Sequence, residues 1–197
     1  CPGAASLDEV NENCANKTVL HVGCTDWPIT HNKIEKGQLL HASLVRSAKL
    51  CKGLDNSDEG IALLKKNGYE NVIKGDAQNI DNYFDDKFEV IVLGEVLEHI
   101  PNPGLVLRSA RRCLGINGFL IVTVPNAFYI RRIISLFFKK EIVHKDHLFY
   151  FSAKTLIKLL KLNAFDTYYL GFTYPKDKHF INRLLYYPMC LLYHAWP

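Results

Sequence analysis

Short apolar runs alternate along the chain with longer stretches whose apolar residues recur every three or four positions. Five such runs between residues 18 and 124 predict strands, and the stretches between them predict helices. The fourth run, Phe88–Gly94, is apolar almost throughout, as expected for a strand that is covered on both faces. Strands that alternate with helices predict an α/β fold: a Rossmann-like, doubly wound, mostly parallel sheet with helices on both faces.

The stretches between and after the strands contain recognisable helix ends. We expect one helix from about residue 34 to 48, a second capped by Ser57, and a third opened by Pro103. Ser152 is the predicted cap of a further helix, and a last strand is expected over residues 165–172. These elements continue the α/β pattern towards the end of the chain.

The length of 197 residues suits a single domain, 1–197. Its first part, 17–125, holds the five strand–helix units and forms the candidate ligand-binding core. Residues 126–151 are a basic, aromatic insertion that would form a lid, and residues 152–197 supply a helix, a strand and a tail. The tail is a candidate interfacial helix, a candidate dimer contact or a divergent end of the fold, so a homodimer is one assembly that the sequence leaves open.

Composition narrows the class of protein. The chain is 48% hydrophobic and has 12 glycines and 8 prolines, which excludes disordered and collagen-like classes. Its 24 Lys plus Arg against 20 Asp plus Glu give a net charge of +4, which neither requires nor excludes a nucleic-acid partner. Six scattered cysteines without paired spacing predict reduced, mostly buried thiols of a cytoplasmic protein. No signal peptide is visible, and no apolar stretch reaches the roughly 20 residues of a transmembrane segment.

Polar and small residues follow the first three predicted strands where each ends. Gly23 follows the first strand, where a Cβ would keep a ligand away from the backbone. Asp55 ends the second strand, placed to accept hydrogen bonds from a ribose diol, and Asp76 follows the third, placed to accept from an adenine amino group. Ligands of parallel α/β sheets bind outside these carboxyl ends, so the three residues predict a nucleoside-binding edge.

The order of these residues resembles the class I S-adenosylmethionine-dependent methyltransferases. The resemblance implies binding of S-adenosyl-L-methionine, with S-adenosyl-L-homocysteine as the product. It implies the methionine moiety at Gly23, the ribose at Asp55 and the adenine at Asp76. The stretches that carry the resemblance are VLHVGCTD, KGLDNS, KGDAQNI, FEVIVLGEVLEHIPNPG and LGINGFLIVTVPN. The implied cofactor contacts are His21, Gly23, Cys24, Thr25, Asp55, Asn56, Asp76, Ala77, Gly94 and Glu95.

The first loop departs from the family pattern. Two of the usual glycines are absent between His21 and Trp27, and the usual leading carboxylate is the imidazole of His21. His21 is therefore either a cofactor contact or a packed strand residue. A nicotinamide-dependent oxidoreductase is the nearest rival, but it would need the spacing G-x-G-x-x-G, which is absent here.

A second cluster follows the fourth strand. Glu95, Glu98 and His99 fall within about one helical turn, so a helix would place Glu95 on one face with the other two. Two carboxylates and an imidazole suit a divalent ion. The segment containing His144 and His147 offers another imidazole.

This E-x-x-E-H plus D-H-x-F arrangement looks like two metal-using branches of the family, the small-RNA 3′-terminal 2′-O-methyltransferases and the ubiquinone-pathway O-methyltransferases. The resemblance implies Mg²⁺ held by Glu95, Glu98, His99 and His147, with His144 as the substitute for His147. The alternative is that Glu98 and His99 only brace the loop. The catalytic candidates are His147, His99 and Glu95, with either histidine as the general base if there is no metal.

The acceptor is predicted from the lid. The segment from VPNAFYIRR to KLNAFD resembles small methyltransferases of bacterial surface-sugar and secondary-metabolite pathways, which implies O-methylation of a small hydroxylated acceptor such as a sugar. Arg131, Arg132, Lys139 and Lys140 among aromatic residues favour an RNA 2′-O-methyltransferase as an alternative, although such a charged face is more often simply solvated, so a nucleic-acid partner is not the expected one. The lid can equally be an amphipathic helix packed on the core or on a partner. A catalytically silent S-adenosylmethionine-binding subunit is the remaining alternative.

Overall fold

The fold is a parallel sheet with helices on both faces. The computed structural model describes residues 7–171, apart from the side chains of residues 7–9, 130 and 131. Five strands form one all-parallel sheet in the order β3-β2-β1-β4-β5. They are β1 (Thr18–Val22), β2 (Leu50–Asp55), β3 (Val72–Lys74), β4 (Phe88–Gly94) and β5 (Leu114–Thr123).

Seven α-helices and two short 3₁₀ turns connect and cover these strands within the described residues. The 3₁₀ turns are Ala77–Asn82, after β3, and Leu97–His99, after β4. The helices are α1 (Leu7–Cys14), α2 (Thr30–Glu35), α3 (Leu40–Ser47), α4 (Asp58–Lys66), α5 (Pro103–Cys113), α6 (Ile130–Phe137) and α7 (Ala153–Leu162). No helix in residues 7–171 has the length and apolar character that crossing a lipid bilayer requires.

The predicted helix caps are confirmed. The Ser57 hydroxyl accepts a hydrogen bond from the Gly60 backbone N–H at the start of α4. Ser152 and Thr155 form a reciprocal capping box at the start of α7. Both caps satisfy backbone N–H groups of the first turn that lack partners inside the helix.

The prediction of one helix over residues 34–48 is wrong, because the structure has α2 and α3 there instead. Gly37 adopts a φ of +63°, in the left-handed region that interrupts a right-handed helix. Leu39 then takes an extended conformation before α3 begins. A helical pattern of apolar residues thus spans two helices that meet at a turn.

The core lies on both faces of the sheet, as the apolar run of β4 predicted. Alternate β4 residues point to opposite sides: Ile91 and Leu93 pack with α5, whereas Val90 and Val92 pack with α1 and α3. The predicted buried thiols are confirmed for Cys14, Cys24, Cys51 and Cys113, which are free and buried. Cys1 and Cys190 lie outside the described residues.

The strand expected over residues 165–172 is wrong as far as the structure describes it. Residues 165–171 form no strand, and Ala164 turns the chain out of α7 with a φ of +60°. Tyr168, Tyr169 and Leu170 are exposed, and this β-prone segment joins none of the five strands that the structure describes. Phe172 and the tail to residue 197 lie outside the described residues.

Candidate functional site

The loop after β1 lies at the carboxyl edge of the sheet. Gly23 has a φ of +76°, and a Cβ there would lie 2.6 Å from Val96 Cγ2, so both backbone conformation and packing require glycine. The Cys24 side chain is buried in the core, where burial raises the pKa of its thiol. Thr25 is also buried. A Cβ at Gly23 would thus meet Val96 within the protein, which differs from the reason for glycine that the sequence suggested.

Asp55 joins the loops that follow β1 and β2. Its carboxylate accepts hydrogen bonds from the backbone N–H groups of Thr25 at 2.9 Å and Ser57 at 3.0 Å. The side chain is 9% exposed, and the neighbouring Asn56 is exposed. Each carboxylate oxygen has a further lone pair, so Asp55 can hold the loops and still accept from a ligand.

Asp76 begins the 3₁₀ turn after β3. Its carboxylate accepts from the Gln78 backbone N–H at 2.9 Å and from the Asn79 side-chain amide at 3.1 Å. Ala77 is buried behind it. Asp76 is therefore a helix cap, and any contact with adenine would be added to that structural role.

His21 is buried beside a second histidine that sequence reasoning missed. Its ring stacks on His41 of α3 with centroids 5.5 Å apart, and its Nδ1 has no hydrogen-bond partner among the described residues. Burial and the nearby His41 hold the pKa of His21 well below its usual range. Only the fold shows this pair, because His41 comes from a separate helix.

Gly94 and Glu95 follow β4. Glu95 has a φ of +52°, donates its backbone N–H to the Thr123 carbonyl at 3.0 Å and exposes its side chain. The 3₁₀ turn does not begin until Leu97. The prediction that Glu95 shares a helical face with Glu98 and His99 is therefore wrong, because Glu95 lies outside the turn in a left-handed conformation.

Glu98 and His99, in the loop after β4, form a cluster with His147, and these three residues are called the Glu98 group. Their ligand atoms all lie within 4.8 Å of one another, and Glu95 is not part of the group. The Glu98 side chain is 1% exposed, and neither carboxylate oxygen has a hydrogen-bond partner among the described residues. Burial, with the charge of Glu95 adding to it, raises the pKa of Glu98 to about 7.

The segment before α7 returns to the end of β4 and brings His147 with it. The backbone N–H groups of Leu148 and Phe149 donate to the Glu98 carbonyl at 2.7 and 3.2 Å. The His147 ring lies 4.6 Å from that of His99, centroid to centroid. The spacing of residues in the sequence did not show this return. The return brings His147 next to the residues that follow β4.

The three side chains suit a divalent cation. His99 Nδ1 lies 3.0 Å from the Asp146 carbonyl, which can only accept a hydrogen bond, so Nδ1 carries the proton. The lone pair of Nε2 is then free to bind a cation. A ligating histidine usually donates its other N–H in this way. His147 Nδ1 is buried without a partner among the described residues. One carboxylate and two imidazoles form a ligand set that suits divalent cations of borderline hardness.

Two residues of the lid approach this group and were not singled out together by sequence. The Arg132 guanidinium lies over the Tyr150 ring, 4.4 Å from its centroid, and its Nη1 donates to the Asn126 carbonyl at 3.0 Å. The Tyr150 ring lies 5.9 Å from that of His147. A cation, an aromatic ring and the imidazoles thus line one side of the carboxyl edge.

A family model for a methyltransferase domain matches residues 11–169. The chain belongs to the methyltransferase domain family. That membership confirms the class of enzyme that the five stretches predicted, and the matched residues include the predicted nucleoside-binding edge, the Glu98 group and the lid.

Curated relatives of this family member are ubiquinone biosynthesis O-methyltransferases. The protein of Actinobacillus pleuropneumoniae is 28% identical over 119 residues, which are 56% of this chain and 46% of that protein. The protein of Hydrogenovibrio crunogenus is 19% identical over 138 residues, which are 68% of this chain and 53% of that protein. The chain spans about half the length of these relatives.

Solved structures share the fold. A SAM-dependent methyltransferase from Thermotoga maritima superposes with a TM-score of 0.59 at 20% identity, covering 82% of this chain and 70% of that one. The plantazolicin methyltransferase BamL, solved with SAH, superposes with a TM-score of 0.55 at 18% identity, covering 80% of this chain and 58% of that one. The predicted Rossmann-like α/β fold is thereby confirmed.

Proposed function

We propose that this family member transfers the methyl group of S-adenosylmethionine to a hydroxyl oxygen of a small acceptor. The observation that carries the choice of oxygen is the buried, unpartnered carboxylate of Glu98 grouped with His99 and His147. A hydroxyl must lose its proton as it attacks the methyl carbon, and this group supplies a basic, cation-binding environment for that step. The names of the curated relatives as O-methyltransferases support the same chemistry.

The cofactor would extend along the carboxyl ends of β1 to β4. The proposed ribose contacts are Asp55 and Asn56, since the carboxylate keeps free lone pairs beyond its two backbone hydrogen bonds. Asp76 and Ala77 are the proposed adenine contacts. The methionine end is proposed to contact Gly23, Gly94 and Glu95 and the backbone of Cys24 and Thr25, because the side chains of His21 and Cys24 are buried inside the protein.

The divalent cation would be held by Glu98, His99 and His147, the three residues whose donor atoms converge. When bound, such an ion lowers the pKa of an acceptor hydroxyl and fixes its oxygen. Glu98 contributes the negative charge, which the cation keeps ionised against the effect of burial. Without a cation, His147 or His99 would accept the proton of the hydroxyl.

The first test is calorimetric titration of S-adenosylmethionine into metal-stripped protein, repeated with Mg²⁺. Methyl transfer is then measured for sugars, phenols and a short RNA with a free 3′ end. Transfer to a small hydroxylated acceptor supports the proposal, whereas transfer to RNA alone would overturn the choice of acceptor. Binding of the cofactor without transfer to any acceptor would indicate a catalytically silent subunit.

The role of the Glu98 group is tested with Glu98→Gln, which keeps the shape of the side chain and removes its charge. We expect this variant to bind S-adenosylmethionine as the parent does and to lose most of the Mg²⁺-dependent transfer. Glu70→Gln, an exposed carboxylate in the loop between α4 and β3, is the matched control. Equal activity of both variants would remove Glu98 from the mechanism.

A further inference from the structure

We propose that Arg132, held against Tyr150, is a binding site for an oxyanion, and that it selects acceptors carrying a carboxylate or phosphate near the reacting hydroxyl. The inference rests on the proposed function, since it assigns a substrate class to the same site. It concerns residues that the proposed methyl transfer and cation binding leave unused.

Arg132 is fixed before any ligand arrives. Its Nη1 donates to the Asn126 carbonyl at 3.0 Å, and its Cζ lies 4.4 Å above the Tyr150 ring. Asn126 pairs in a β-bridge with Phe151, the residue that follows Tyr150, so the bridge holds the two anchors of the guanidinium near each other. A guanidinium ordered in this way loses little conformational entropy on binding a ligand.

The charge of Arg132 lacks an acidic partner among the described residues. A guanidinium has five N–H donors, and the Asn126 carbonyl uses one of them. Of the two acidic residues of the lid segment, Glu141 and Asp146, neither is ion-paired with Arg132 among the described residues, and the Asp146 carboxylate lies 3.8 Å from His144 Nδ1. Arg132 is half-buried, so a charge-assisted pair with an anion is less screened there than on an open surface.

The position of the pair relative to the Glu98 group sets the geometry of the acceptor. The Tyr150 ring lies 5.9 Å from the His147 ring, and the Tyr150 hydroxyl is buried without a hydrogen-bond partner among the described residues. A buried hydroxyl without a partner is costly, and it marks this corner as one that a ligand oxygen or a small lid movement would complete. An acceptor whose hydroxyl reaches His147 would therefore extend past the Tyr150 ring towards Arg132.

Two matched acceptors test the inference on the full chain loaded with S-adenosylhomocysteine and Mg²⁺. The probes are 3,4-dihydroxybenzoate and catechol, which share the hydroxyl groups and differ in the carboxylate, and inorganic phosphate serves as a competitor. Dissociation constants are measured by calorimetry for the parent, Arg132→Gln and Arg132→Lys. Lys139→Gln, an exposed cation of the same lid, is the control, and circular dichroism checks folding.

We expect Arg132→Gln to raise the dissociation constant of 3,4-dihydroxybenzoate by about tenfold or more, and that of catechol by less than about twofold. Arg132→Lys should fall between, because it keeps the charge and loses the fork of donors. Competition by phosphate would show that the site accepts either oxyanion, and its absence would restrict the site to carboxylates.

Other outcomes overturn the oxyanion site. Equal loss for both probes would make Arg132 a structural part of the lid, and an equal effect of Lys139→Gln would indicate a general charge effect. Loss of S-adenosylhomocysteine affinity would assign Arg132 to the carboxylate of the cofactor, and failure of the parent to prefer the carboxylate probe would reject any site. Selective binding without methyl transfer would instead leave the oxyanion site standing and reject the proposed function.

Discussion

Asp55 combines a structural role with the proposed ribose contact. It holds the loops after β1 and β2 through the backbone N–H groups of Thr25 and Ser57. A carboxylate fixed in this way presents its remaining lone pairs in one orientation, which suits a ligand diol. The two roles predict two separable consequences of removing it.

Asp55→Ala should weaken S-adenosylmethionine binding by on the order of 10–100-fold, since a charge-assisted hydrogen bond contributes about 1.5–3 kcal/mol. Its free energy of unfolding should also fall by about 1–3 kcal/mol, because the buried N–H of Thr25 loses its acceptor. Calorimetry and urea unfolding measure the two effects. Asp85→Ala, at an exposed carboxylate, should change neither, and unchanged cofactor affinity in Asp55→Ala would reject the ribose role.

Glu98 makes the stability of the cation-free protein depend on pH. Burial raises its pKa from 4.5 to about 7, so between these pH values the folded protein holds a proton that the unfolded chain has released. The free energy of unfolding should therefore fall as the pH rises through this window, by about 3 kcal/mol in total. Glu98→Gln, which cannot ionise, should lack this part of the slope.

Urea unfolding in a chelator at about pH 4.5 and about pH 8 measures the difference between the parent and Glu98→Gln. Burial lowers the pKa of His41 to about 4, which gives a slope of opposite sign, but it does so in both proteins and cancels in the difference. Parallel pH profiles for the two proteins would mean that Glu98 is not held in a desolvated site.

The helices α5 and α6 differ in how much of their apolar surface is buried. α5 packs on the sheet through Val106, Leu107 and Ala110, which are fully buried. α6 is strongly amphipathic in sequence, yet Leu136 and Phe137 are exposed on the described surface. The sequence predicted that the lid helix packs either on the core or on a partner. Leu136 and Phe137 do not pack on the core.

One substitution made in both helices measures this difference. Leu107→Ala should lower the free energy of unfolding by about 2–5 kcal/mol, because Leu107 is 0% exposed and its removal leaves a cavity. Leu136→Ala should change it by less than about 0.5 kcal/mol, since Leu136 is 61% exposed. Chemical unfolding of the two variants provides the values. Comparable losses would show that α6 is covered in solution.

For the whole molecule, ligands that bind only the folded state should stabilise it in proportion to their occupancy. At a free concentration of about one hundred times its dissociation constant, a ligand adds about 2.7 kcal/mol to the free energy of unfolding. We expect thermal unfolding to show separate increments from S-adenosylmethionine and from Mg²⁺. Glu98→Gln should lose the Mg²⁺ increment and keep that of the cofactor; loss of neither would place the cation elsewhere.

The elements with strong local signals could be predicted from the sequence. β1 and β4 have the predicted bounds because their apolar runs are sharply limited by Gly23 and by Gly94 with Glu95. The caps at Ser57 and Ser152 act within one helical turn, so neighbouring residues suffice to form them. The helix expected over residues 34–48 failed where Gly37 broke a pattern that periodicity alone read as continuous.

The sequence by itself determined the class of fold, the carboxyl-edge carboxylates and the chemistry of the two histidine-containing segments, since these follow from local pattern and residue type. Only the tertiary structure decided which side chains meet. It brought His147 to Glu98 and His99, excluded Glu95 from that group and stacked Arg132 on Tyr150. These contacts join residues that are distant along the chain, and the backbone hydrogen bonds that fix them, such as Leu148 to the Glu98 carbonyl, leave no periodicity in the sequence.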